Sequence, residues 1–228
     1  MGIIPDLRRW NCHYNYSIMS IFNPFTWMAA SRLSVDEEIA KKPIPLAGPP
    51  TVSKPRLLTT AELLKHYGDP GDPANLITIA VPYPMRLAWD LTKPVSKVLC
   101  HKKIATPLTN VLNDLLKAYG TPELKRLEID LFGGLYNFRP QRGLEKKYEA
   151  ARKAGNNQLA TTYLSRHSWA TAIDLNPAKN GLKTKAPAAQ FSKPEYKAMN
   201  EIFYKHGFIG YGRERGNDFM HFEIGIIL

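Results

Sequence analysis

The stretch "SRHSWATAIDLN", Ser165 to Asn176, sets one histidine and one aspartate, His167 and Asp174, among small and apolar residues. Side chains along a strand alternate between its two faces, so a spacing of seven would place this pair on opposite sides. The two converge only if the chain turns between them. Ala170, Thr171 and Ala172 leave room for such a turn. An imidazole and a carboxylate from one segment make two of the three protein ligands that catalytic zinc takes.

A second stretch, "GNDFMHFEIG" from Gly216 to Gly225, supplies the natural third ligand, His221. Asp218 lies three residues before it, close enough to reach a water at the metal as a general base without being a ligand. Glu223, two residues after His221, shares its strand face and can orient an imidazole. Phe222 and Ile224 then point to the core. Taken singly, a histidine near an aspartate is more often a structural hydrogen bond. The combination is sharper, because unpaired His, Asp and Glu in so apolar a context would be costly to bury.

Outward from these segments the chain reads as α+β, a small antiparallel sheet with flanking helices rather than repeated βαβ units. "LLTTAELLKHYG" predicts a short helix capped by Thr60 and ended by Gly68. "NLITIAV" predicts a strand. "TPLTNVLNDLLKAYG" puts Leu108, Val111, Leu112, Leu115, Leu116 and Tyr119 on one helical face, with Gly120 at its end. "RLEIDLFGG" reads as a strand, and "QRGLEKKYEAARKAGNNQ" as a helical excursion or a loop. "SKPEYKAMNEIFYKHG" predicts a helix with a Ser192/Glu195 capping box. Residues 1–56 differ: an aromatic-rich segment without clear period runs into the proline-dense "KKPIPLAGPPTVSKP". This predicts an N-terminal extension and linker at 1–56 and a folded domain at 57–228.

With 228 residues, 44% hydrophobic, the chain can bury one full-sized core. No apolar run reaches the roughly 18 residues of a membrane span, so stable membrane insertion is not expected. Cys12 and Cys100 fit neither a disulfide framework nor a paired-cysteine zinc site. No clean secretory signal is read at the N-terminus. The net charge of +11 suits polyanions such as an anionic envelope surface. Nucleic-acid recognition motifs are absent, so no nucleic-acid partner is expected. His101 and His206 read as structural, and Trp169 as a core or pocket wall.

"SRHSWATAID" and "DFMHFE" resemble the two signature motifs of the zinc D-alanyl-D-alanine carboxypeptidase family. That family includes the vancomycin-resistance-type D,D-peptidases and the L-alanyl-D-glutamate endopeptidases of bacteriophage endolysins. Its first motif is matched by Ser165, His167, Ala172 and Asp174, with Ala170 where glycine is usual. Asp218 with "HFE", and the "DLNPAKN" segment, lean toward the phage branch. "GGLYNFRPQRG" is similar to the family's arginine-bearing segment. The resemblance, over roughly residues 60–228, implies a hedgehog/D,D-peptidase-like fold with zinc on the sheet. It implies zinc held by His167, Asp174 and His221, Asp218 as catalytic base, and Arg139 or Arg142 on substrate and oxyanion. Ser165 and Glu223 support the ligands. The implied partner is the peptidoglycan stem peptide, cut by a monomer. The implied setting is a phage endolysin made in the host cytoplasm and acting on the wall after membrane breach. The rivals are a cellular D,D-carboxypeptidase and a wall-binding module without catalysis.

Overall fold

The structure is a computed structural model and describes residues 55–226. The extension read at 1–56, with Cys12 and His13, lies outside the described residues except for Pro55 and Arg56. The first helix, α1 (Thr60–Tyr67), begins one residue earlier than its sequence suggests. Its cap is Thr59: the hydroxyl accepts from the Glu62 N–H at 3.2 Å, and the Glu62 carboxylate accepts from the Thr59 N–H at 2.8 Å. Thr59→Ala should therefore cost about 1 kcal/mol of stability in a denaturant titration while leaving metal content untouched. A loss well beyond that would mean that Thr59 does more than cap.

Two long strands follow, β1 (Leu76–Leu87) and β2 (Asp90–His101). Their antiparallel register slips between Ala80 and Met85, where Pro82 and Pro84 offer no N–H to the ladder. Lys93, Pro94 and Lys97 are exposed on β2, which lies at one edge of the sheet and is thereby a poor template for further pairing. At its end His101 donates to the Tyr67 carbonyl through Nε2 and accepts from the Lys103 N–H through Nδ1. Its role is structural, as its sequence context suggests.

The helix α2 (Ala105–Arg126) buries Leu108, Val111, Leu112, Leu115 and Tyr119, the face its spacing predicts. The helical path breaks at Gly120, whose φ of 69° suits a residue without Cβ, and resumes through Pro122. Each fully buried aliphatic side chain on this face contributes roughly 1.5–3 kcal/mol. β3 (Leu131–Gly134) is shorter than "RLEIDLFGG" suggests, because residues 127–130 turn. The charged excursion is helical, as α3 (Glu145–Lys153) and α4 (Asn157–Thr162).

β4 (Ala172–Leu175), α5 (Pro177–Asn180), α6 (Lys197–Lys205), β5 (Phe208–Gly210), α7 (Tyr211–Arg215) and β6 (His221–Ile224) complete the order. The Ser192/Glu195 box does not form. Ser192 donates to the Ala189 carbonyl, and a 3₁₀ turn at Pro194–Tyr196 precedes α6. Phe203 of α6 stacks on Phe222 of β6 with ring centroids 3.9 Å apart, joining helix to sheet. His206, at the end of α6, lies 2.8 Å from Asp114 of α2.

Among the described residues the sheet has six strands in the order β2-β1-β3-β4-β6-β5. It is mixed, with β1 and β3 parallel and the other pairs antiparallel. The architecture is the expected α+β, with a larger sheet than the sequence suggests. Its centre sets the site: Gly134 of β3 is opposite Asp174 of β4, which is opposite His221 of β6. Residues directly opposite in antiparallel strands share a face.

Candidate metal centre and its cleft

His167 does not lie in a strand. It sits in a 3₁₀ turn, Arg166–Trp169, and the turn is what lets it meet Asp174. Ser165 opens this turn, its hydroxyl accepting from the His167 N–H. The turn closes at Ala170, in the left-handed region at φ 53° and ψ 36°. Glycine suits that conformation best, which explains its place in the resembling motif; alanine costs about 1–2 kcal/mol there. Trp169 is buried and donates through Nε1 to the Gly68 carbonyl at 2.9 Å, so it is a wall of the core.

The His167 ring is held by its far nitrogen. Nδ1 is 2.6 Å from the Leu135 carbonyl, which can only accept, so Nδ1 carries the proton and Nε2 presents its lone pair to the site. That Nε2 is buried, has no hydrogen-bond partner, and lies 3.3 Å from Asp174 Oδ2. On the other side His221 Nδ1 is 2.9 Å from Asp174 Oδ1, and its Nε2 is 3.2 Å from Glu223 Oε2. Glu223 also accepts from the Tyr211 hydroxyl at 2.7 Å and lies 3.7 Å from Arg166 Nε. One ligand atom from each of His167, Asp174 and His221 lies within 4.8 Å of the others.

The donor set fits zinc. Two imidazole nitrogens and a carboxylate oxygen are its usual catalytic ligands, and the outer nitrogens are bonded to a carbonyl and a carboxylate, as ligating histidines require. The electrostatics agree. Burial pushes the Asp174 carboxyl up, but the two histidine rings beside it, His221 at hydrogen-bond distance, outweigh burial and hold it well below the usual carboxylate range. Burial also opposes a proton on His221, yet Asp174 and Glu223 raise its pKa to about 10. So strong a pull for positive charge between two carboxylates is what a cation would satisfy.

Asp218 is the odd member. It has φ 54° outside the strand, and its Oδ1 is buried without a partner. Its backbone carbonyl accepts from the His221 N–H at 3.1 Å, which ties it to that candidate ligand. Burial, with the charge on Asp174 adding, pushes its carboxyl above the ordinary aspartate range despite the pull of His221. An acid so placed can take up a proton and give it back.

A cleft of about 250 Å³ opens over these residues, and Arg139 and Arg142 both line it. The segment after β3 is strapped to the histidine turn: Asn137 N–H donates to the His167 carbonyl, Arg139 N–H to Ser168 Oγ, and Ser165 N–H to the Arg139 carbonyl. Arg139 is half-buried, and burial and Arg142 push its pKa down while Asp174 and Asp218 support its charge. Arg142 is exposed at the rim.

Arg166, Tyr211, Arg215 and Asn217 also line the cleft and were not singled out by sequence. Arg166 adjoins His167 in the motif; the others had no spacing signal. Beyond Asp174, the "DLNPAKN" segment packs the site's surroundings. Asn180 is buried, accepts the Phe191 N–H at 2.7 Å, and its carbonyl accepts the Met220 N–H, tying the end of α5 to the Asp218–His221 loop.

A family model described as D-alanyl-D-alanine carboxypeptidase matches residues 159–224. The matched segment holds His167, Asp174, Asp218, His221 and Glu223, and leaves Arg139 and Arg142 outside. At the coarse level, the match and the donor set support a zinc peptidoglycan peptidase, with zinc dependence inferred from the family. No curated protein and no solved structure matches the chain.

Proposed function

We propose that the protein is a zinc-dependent endopeptidase of bacterial cell walls that cleaves the stem peptide between L-alanine and D-glutamate, in the role of a phage endolysin. The observation that carries the peptidase reading is the buried, unpartnered Oδ1 of Asp218 beside three converging donors. His167, Asp174 and His221 hold the metal. Zinc supplies the Lewis acidity that makes a water nucleophilic near neutral pH and polarises a scissile carbonyl. Asp218 takes the proton from the attacking water and returns it to the leaving amine. Arg139 or Arg142, both lining the cleft and both within electrostatic reach of Asp218, meets the negative charge developing on the carbonyl oxygen. Glu223 keeps the His221 ring oriented, and Ser165 does the same for the histidine turn.

The choice of bond rests on Asp218 followed by "HFE" and on "DLNPAKN", which resemble the phage branch. The D,D-carboxypeptidase reading is favoured by the description of the matching family and by two arginines suited to a terminal carboxylate. We place the protein in the host cytoplasm on synthesis and at the wall after membrane breach, acting as a monomer, with its basic charge drawing it to the anionic envelope. Among the described residues no helix is long and apolar enough to cross a membrane.

Digestion of purified peptidoglycan, with and without a chelator, separates these readings. New D-glutamate amino termini, lost on chelation and restored by zinc, are the expected result. Release of D-alanine alone would replace it with the carboxypeptidase reading. No cleavage under any condition would leave a wall-binding module.

A further inference from the structure

The cleft carries more positive charge than its chemistry needs. Four arginines line it: Arg139, Arg142, Arg166 and Arg215. Arg166 is turned away through Nη2 to the Leu58 carbonyl at 2.8 Å and has Nε 3.7 Å from Glu223, with Nη1 buried and without a partner. Among the described residues, Arg139, Arg142 and Arg215 have no carboxylate partner. One developing oxyanion occupies one guanidinium.

Arg215 differs from the other two in how it is held. It comes from the end of α7, whereas Arg139 and Arg142 come from the strap after β3. Its guanidinium lies 3.7 Å above the centre of the Tyr211 ring. Tyr211 is itself fixed, donating to Glu223 and packing its ring 4.4 Å from that of His221. The guanidinium is thus registered to a metal ligand through one rigid aromatic. Stacking uses its face and leaves the N–H groups at its edge, the geometry that grips a carboxylate with two parallel bonds. The cost of immobilising a long side chain is met before any ligand arrives.

We propose that Arg215 is a specificity-determining residue that binds a carboxylate of the substrate peptide outside the scissile amide. The inference rests on the peptidase reading and names the substrate class: acidic peptides. Two sources share this chemistry, the C-terminal carboxylate of the stem and the free α-carboxylate of a γ-linked glutamate.

The test uses three synthetic stem peptides: the free acid, the C-terminal amide and the glutamyl α-amide. Affinity is measured by calorimetry on zinc-loaded Asp218→Asn protein, and kcat/KM on zinc-loaded protein with Asp218 intact. With Arg215 present, one amide should be weaker than the free acid by roughly 10- to 100-fold, and which amide it is identifies the source. Arg215→Gln should collapse that ratio toward one. Arg215→Lys should give an intermediate ratio, since charge remains while the stack and the fork are lost. Equal affinity for all three peptides, no binding of any, or a ratio that survives Arg215→Gln would overturn the proposal. If the peptides are bound with the expected ratio but none is cut, the peptidase reading fails while Arg215 stands.

Discussion

Asp174→Ala is expected to empty the metal site and abolish hydrolysis together. Among the described residues, Asp174 is the only carboxylate in contact with both imidazoles, at 3.3 Å from His167 Nε2 and 2.9 Å from His221 Nδ1. It brings the sole negative charge among the three donors. Without it, His221 remains between the space it leaves and Glu223, and His167 Nε2 faces no anion. Zinc affinity should fall by more than the roughly 10- to 100-fold typical of losing an outer partner. Elemental analysis after dialysis measures this directly. Full zinc occupancy in the Asp174→Ala protein would remove Asp174 from the ligand set.

The second large effect separates base from ligand. Asp218→Asn should keep one zinc per chain and lose about 10²- to 10⁴-fold in kcat, the range for a positioned proton-transfer group. Asparagine keeps the shape and tolerates the positive φ that Asp218 adopts. The pH profile gives an independent check. An acid limb of kcat/KM that belongs to Asp218 should vanish in Asp218→Asn.

Stability should move the other way. A carboxyl whose folded pKa is raised stabilises most below its unfolded pKa, and that contribution is lost as pH rises through the folded value. In metal-free protein near neutral pH, Asp218→Asn should therefore melt no lower than the parent. Loss of zinc from Asp218→Asn would make Asp218 a ligand instead, and near-normal turnover would end its role as the base.

Much of the site was legible because metal chemistry restricts residue types. Few reasons exist for His167, Asp174, His221 and Glu223 to sit in apolar segments, and all four are buried, with His221 bonded to Asp174 and Glu223 and His167 Nε2 3.3 Å from Asp174. The α2 face was legible because its burial follows helical period. The capping boxes were less so. Thr59 and Thr60 are adjacent with the same hydroxyl, and which one caps depends on where Glu62 and Arg56 pack. Ser192 and Glu195 have the right spacing, but the backbone there turns twice before the helix begins.

The amino-acid sequence by itself pointed to the candidate donors and candidate base and determined the need for a turn between His167 and Asp174, because these follow from chemistry and from spacing within one segment. Tertiary structure alone decided which nitrogen of each histidine faces the site, since that depends on Leu135 from the strap after β3 and on Glu223 from β6. It also decided the cleft. Arg139 comes from the strap after β3, distant in sequence from the Tyr211–Arg215 helix, and no local pattern encodes their approach. The parallel pairing of β1 with β3 was equally hidden, because it joins strands separated by all of α2. Local periodicity reports which face is buried, and long-range pairing settles what it is buried against.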